Sequence, residues 1–159
     1  LVILAGSNIV AILTDTWENQ TLDFLFRGQA MSPPTSQWIA LFTSTGPTDA
    51  GTANEVTGVN YTRQQVTSNT SGWAATSTTA GGAGSGSASA GTDGTIRNQN
   101  AITFNAAGAG GWGTVTYVGA FSASSSGTLL WYAPLTTSKL IQQGDVASFA
   151  AGTLTIQID

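Results

Sequence analysis

The chain contains no cysteine and no histidine. Those two absences remove disulfides, thiolate and imidazole metal sites, and any nucleophile system built on Cys-His or Ser-His-Asp. They leave the redox compartment open. Charge is scarce too: 8% of the 159 residues are Asp, Glu, Lys or Arg, far below the usual quarter. The four cations, Arg27, Arg63, Arg97 and Lys139, are scattered singly against eight acidic residues. No basic cluster can follow a phosphate backbone, so nucleic acid is not expected as a partner. Long apolar runs are also missing. The most apolar stretch, "LVILAGSNIVAIL" (Leu1 to Leu13), is broken by Gly6, Ser7 and Asn8 and is too short to span a bilayer. It shows neither the basic lead nor the small-residue cleavage site of a signal peptide. No membrane role is expected.

What is present is 41% apolar residues in organised clusters, with Gly, Ala, Ser and Thr filling much of the rest. That pattern is not disorder driven by charge. A surface this poor in charge suits a protein packed against others, because charge normally keeps soluble monomers apart. Residues 1–13 are therefore expected to form an extended apolar arm lying across a neighbouring subunit. Leu1, Val2, Ile3 and Leu4 are its interface candidates. Residues 14–159 have the length of a single domain.

Within that domain, "TDTWENQTLDFLFRG" predicts one short helix over 15–27. Asp15 and Glu18 have capping-box spacing, Leu22, Leu25 and Phe26 share a face, and Gly28 follows Arg27 as a stop. "SPPTS" breaks the chain after it. Beyond the break every periodic segment reads as strand: 38–44, 61–66, 101–104, 114–123, 128–135, 145–150 and 153–158. "SASSSG", "TTSK" and "AAG" are read as the short turns between the last of these. Seven short strands at that spacing predict a mostly β fold, an antiparallel β-sandwich or small barrel. Residues 67–94 form a Gly/Ala/Ser/Thr-rich insertion with Trp73 as its one large side chain. Such a tract cannot order itself by burying its own surface, and its first half is expected to run along another subunit.

Candidate chemical motifs do not hold up. Gly108, Gly110 and Gly113 match G-x-G-x-x-G, but they precede a strand instead of linking a strand to a helix. Asp49, Glu55, Asp93 and Asp145 lie in predicted loops with no spacing that marks a glycosidase pair, and no calcium-loop pattern is present. Catalytic, cofactor-binding and metal residues are accordingly assigned as none. Trp17, Trp38, Trp73, Trp112 and Trp131 are dispersed, as core or interface packing would have them.

Five stretches in this order carry a resemblance: "NQTLDFLFRG", "WIALFTSTGPTDAGTANEVTGVNYTRQQV", "AITFNAA", "WGTVTYVGAFSASSSGTLLWYAPLTTSK" and "GDVASFAAGTLTIQID". Together they resemble a family of small tailed-bacteriophage virion proteins of tail-fibre-like or structural type. The resemblance covers roughly 19–159, and neither the arm nor the long insertion is part of it. It implies a non-enzymatic virion component, assembled in the bacterial cytoplasm, whose partners are copies of itself, as a homotrimer, and other virion proteins. Small size and negative charge favour a capsid cement or decoration protein bound to the major capsid protein. A tail fibre, tail tip or adaptor component is the alternative, and a carbohydrate-binding or depolymerising module a third. Arg63, Trp112, Trp131 and Tyr132 join the arm residues as interface candidates. Alternation puts Trp131 and Tyr132 on opposite sheet faces, and the outward one is expected to meet a partner.

Overall fold

The computed structural model describes residues 1–4, 9–49, 54–75 and 94–157. In chain order the elements are β1 (Val2–Ile3), β2 (Ile9–Val10), β3 (Ile12–Leu13), α1 (Asp15–Arg27), β4 (Ser36–Thr43), β5 (Gln64–Thr67) and β6 (Trp73–Ala74). There follow β7 (Thr95–Asn98), β8 (Ile102–Ala106), β9 (Gly113–Phe121), β10 (Leu129–Ile141), β11 (Val146–Phe149) and β12 (Thr155–Gln157). The largest sheet is antiparallel, in the order β3-β10-β9-β4-β5; two smaller ones run β1-β11-β8 and β2-β12-β7-β6. The fold is mostly β and sandwich-like, with one helix among the described residues.

Alternation on the large sheet explains the layering. Ile39 and Leu41 of β4, Val118 and Ala120 of β9, and Trp131 and Ala133 of β10 face inward. There they meet Phe104 of β8, Phe149 of β11 and Ile156 of β12 in one core. The intervening Ala40, Phe42, Phe121 and Tyr132 form a second cluster on the opposite face. Trp131 and Tyr132 thus diverge as the alternation required. A register shift between Leu129 and Trp131 lets Leu130 join Trp131 in the main core while Leu129 stays with the second cluster.

Three local readings are corrected. "TTSK" is not a turn but the middle of β10, a 13-residue strand. Pro134 pairs with Tyr117 and Lys139 with Val115, so a bulge absorbs the extra polar residues and the strand continues. Pro134 is tolerated because β3 covers β10 only at Trp131 and Tyr132, leaving that side an edge from there onward. The helix cap is Thr14, not Asp15, and it makes no side-chain capping bond. Its hydroxyl donates instead to the Leu129 carbonyl at 2.8 Å, fastening the helix entry to β10. The helix does end at Gly28 in the left-handed conformation, φ 66°.

The third correction concerns the apolar arm. Its described parts lie on their own chain: β1 runs parallel to β11, β2 parallel to β12, and β3 antiparallel to β10. Leu4 is fully buried in the core. The described strands of the arm thus pair with edges of their own chain, while Leu1, Ile3, Val10 and Ile12 keep exposed side chains. The described start of the insertion does the same, for β6 pairs with β7 and Trp73 is buried. Residues 76–93, the rest of that tract, lie outside the described residues.

Candidate functional site

The segment between β4 and β5 is held by one network. Asn54 to Val56 return alongside β4, with the Thr43 N–H donating to the Asn54 carbonyl and the Val56 N–H to the Leu41 carbonyl. Where the chain then bulges away, the Tyr61 phenol takes over: its oxygen accepts the Leu41 N–H at 2.9 Å and its O–H donates to Glu55 Oε1 at 3.1 Å. Burial first, and then the Glu55 carboxylate, push the Tyr61 hydroxyl far above the usual phenol range. Tyr61 also stacks near-parallel on Phe104 and edge-on against Trp112. Trp112 donates from Nε1 to the Val59 carbonyl at 3.0 Å.

Arg63 completes the network. Nε and Nη2 grip the two Glu55 oxygens at 2.8 and 2.7 Å, and Nη1 reaches the carbonyls of Ala123 and Ser126 at 2.8 and 2.7 Å. The guanidinium lies over the Phe121 ring, 3.4 Å from its centre. One side chain thus binds the β4–β5 loop to the β9–β10 hairpin and roofs the second apolar cluster. Arg63, an interface candidate from the sequence, makes this ion pair and these carbonyl bonds within its own chain.

The other aromatic candidates are also turned inward. Trp112, Trp131 and Tyr132 are all buried. Tyr132, expected to meet a neighbour, packs within its own chain among Ala40, Phe42, Phe121 and Leu129 on the outer sheet face. Trp131 donates from Nε1 to Gln37 at 2.7 Å. Of the arm candidates, Leu1 and Ile3 are exposed, Val2 is half-buried and Leu4 is buried.

Four of the exposed large apolar side chains among the described residues lie on helix α1. Helix α1 has no buried residue. Leu22, Phe24, Leu25 and Phe26 stay 53%, 53%, 63% and 78% exposed, where a helix of a closed domain would cover its apolar stripe. Only Trp17, near its start, packs against the core. The signal was in "LDFLF", which is apolar on several sides of a helix, not on one.

A cluster of carboxylates was also missed. Asp15 and Glu18 of the first helical turn and Asp49 of the loop after β4 are exposed, and their oxygens lie within 4.8 Å of one another. Among the described residues none of the three has an ion-pair partner, since Asp23 and Glu55 take Arg27 and Arg63. Loss of surrounding water and the adjacent Asp15 carboxylate hold the Asp49 carboxyl above the usual range. Glu55 is committed to Arg63, and Asp145 accepts the Gln142 N–H in a turn. Asp93 lies outside the described residues.

Taken together, these features define a β-structural module whose polar network fixes its own loops and whose free apolar surface is a helix. The chain belongs to the podophage GP4 fiber I protein gp80 family, which matches residues 12–157. It is a phage virion structural protein. No individually curated protein matches the sequence.

Proposed function

We propose that the chain is a non-catalytic component of a podophage fibre or tail, held in a trimeric assembly through helix α1. The match to a fibre protein family over residues 12–157 carries this reading. It favours the tail alternative over the capsid cement role that size and charge had put first. Leu22, Phe24, Leu25 and Phe26 supply the apolar anchors that an oligomer interface needs. A sugar-binding platform has less support: Trp73, Trp112 and Trp131 are buried, and Trp17 and Trp38 are half-buried.

Copy number separates the two virion roles. Quantitative mass spectrometry of purified particles is expected to find the chain at a few to a few dozen copies, with antibody labelling at the tail. Abundance near that of the major capsid protein, with label over the shell, would restore the decoration role.

A further inference from the structure

We propose that a hollow at the base of helix α1 receives the apolar face of α1 from a second copy of the chain. This rests on the reading that α1 holds the assembly together, and it names the surface that α1 meets there. The hollow has a volume of about 220 Å³ and is lined by Leu13, Trp17, Pro33, Pro34, Leu130 and Trp131. Its walls therefore come from β3, the first turns of α1, the segment leading into β4, and β10. Gln37 and Ser68 complete it. Gln37 is already engaged by Trp131 Nε1 at 2.7 Å, and the Ser68 hydroxyl oxygen is buried. Among the described residues no charged side chain lines the hollow. Such an apolar concavity takes an apolar side chain in preference to a polar ligand.

The occupant follows from what the same chain leaves uncovered. Leu22, Leu25 and Phe26 stand three and four residues apart, so they share one face of α1, and Phe26 is its most exposed member. The charges beside them, Asp23 and Arg27, are paired with each other at 2.9 Å. An apolar face without unpaired charge thus matches an uncharged hollow. Phe26 cannot enter the hollow of its own chain while α1 stays helical. It lies nine residues beyond Trp17, about 13.5 Å along an α-helix. The three side chains and the walls they would cover come to on the order of 1,000 Å² per contact, the lower bound for a specific interface. Face and hollow are different surfaces, so the contact runs head to tail, and such contacts close into rings when the rotation permits. In a closed trimer each copy makes two of them, with Phe26 as the anchor of each.

Native mass spectrometry of the purified chain tests this with three variants. Phe26→Ser removes the anchor, Pro33→Glu puts a carboxylate at the rim of the hollow, and Ser68→Leu fills it from the wall. Each is expected to be monomeric where the wild type is trimeric, association being weakened about tenfold or more, with unchanged circular dichroism. Pro33 is exposed, so its variant keeps the test valid if Ser68→Leu folds poorly. Mixing Phe26→Ser with Pro33→Glu should then produce a heterodimer, because one copy retains its hollow and the other its anchor. Nothing larger should form, because that pair is left with one damaged surface of each kind. Hollow variants that stay trimeric while Phe26→Ser is monomeric would overturn the proposal and leave α1 as the element that holds the assembly. A mixture that yields no heterodimer would also overturn it. A monomeric wild type would remove the hollow and the α1 reading together.

Discussion

Arg63 and Glu55 are joined by two parallel bonds, Nε to Oε1 at 2.8 Å and Nη2 to Oε2 at 2.7 Å. The side chains are 9% and 20% exposed, so the pair is mostly out of water. Removing one member of such a pair leaves the other buried without compensation. It also uncovers Phe121, because the same guanidinium roofs that ring.

Arg63→Ala is therefore expected to lower stability by about 3 kcal/mol in urea unfolding. Arg63→Lys keeps the charge but not the fork, and cannot reach Glu55 and the carbonyls of Ala123 and Ser126 together, so it should recover less than half of the loss. An Arg63→Ala protein as stable as wild type would show that the network is incidental.

Tyr61 makes stability depend on alkaline pH. Its hydroxyl titrates far above the ordinary phenol value in the folded state, through burial first and then Glu55. The unfolded chain releases that proton near pH 10, while the folded chain keeps it. Stability is thus complete below about pH 10 and falls as pH rises beyond it. Tyr61→Phe should lose about 1–2 kcal/mol at neutral pH, since the Leu41 N–H is left without its acceptor. It should also flatten the alkaline decline, which pH-dependent urea unfolding would detect. A variant with the same alkaline slope as wild type would assign the decline to other groups.

Two glycines separate backbone strain from close packing. Gly46 has φ +70°, and a Cβ placed there would lie 2.5 Å from the Tyr117 ring; Gly144 has φ +86° with open space around it. Gly144→Ala should cost only the left-handed conformation, roughly 1–2 kcal/mol. Gly46→Ala should cost about 1–3 kcal/mol more, because Tyr117 must move out of a close-packed cluster. Equal losses in urea unfolding would mean that the loop after β4 yields freely.

The sequence carried its local information well and its long-range information poorly. Alternation located β9 and separated Trp131 from Tyr132, because a period of two survives any arrangement of sheets. The Gly28 stop was legible because left-handed backbone is local chemistry. "TTSK" misled because a wide bulge leaves the same polar trace as a turn. The arm's pairing with β11, β12 and β10 was not legible because apolar residues do not say which strand edge they will join. Asp15, Glu18 and Asp49 converge only after β3 docks on β10 and the loop after β4 folds back, which no spacing encodes.

Helix α1 gives the last and most direct test of assembly. Each of Leu22, Phe24, Leu25 and Phe26 is more than half exposed, and no side chain of the helix is buried. Replacing Leu25 and Phe26 with serine removes no core contact, so the melting temperature should barely move: surface changes stay within about 0.5 kcal/mol. Burial of a large apolar side chain contributes about 1.5–3 kcal/mol, so losing two from an interface should weaken association by a hundredfold or more. Native mass spectrometry at tens of micromolar is expected to find trimers of the wild-type chain and monomers of the double variant, with matching circular dichroism spectra. Incorporation of the variant into particles should fall in parallel. A wild-type chain that stays monomeric, together with a variant incorporated as well as wild type, would remove α1 from the assembly and leave its apolar surface without a role.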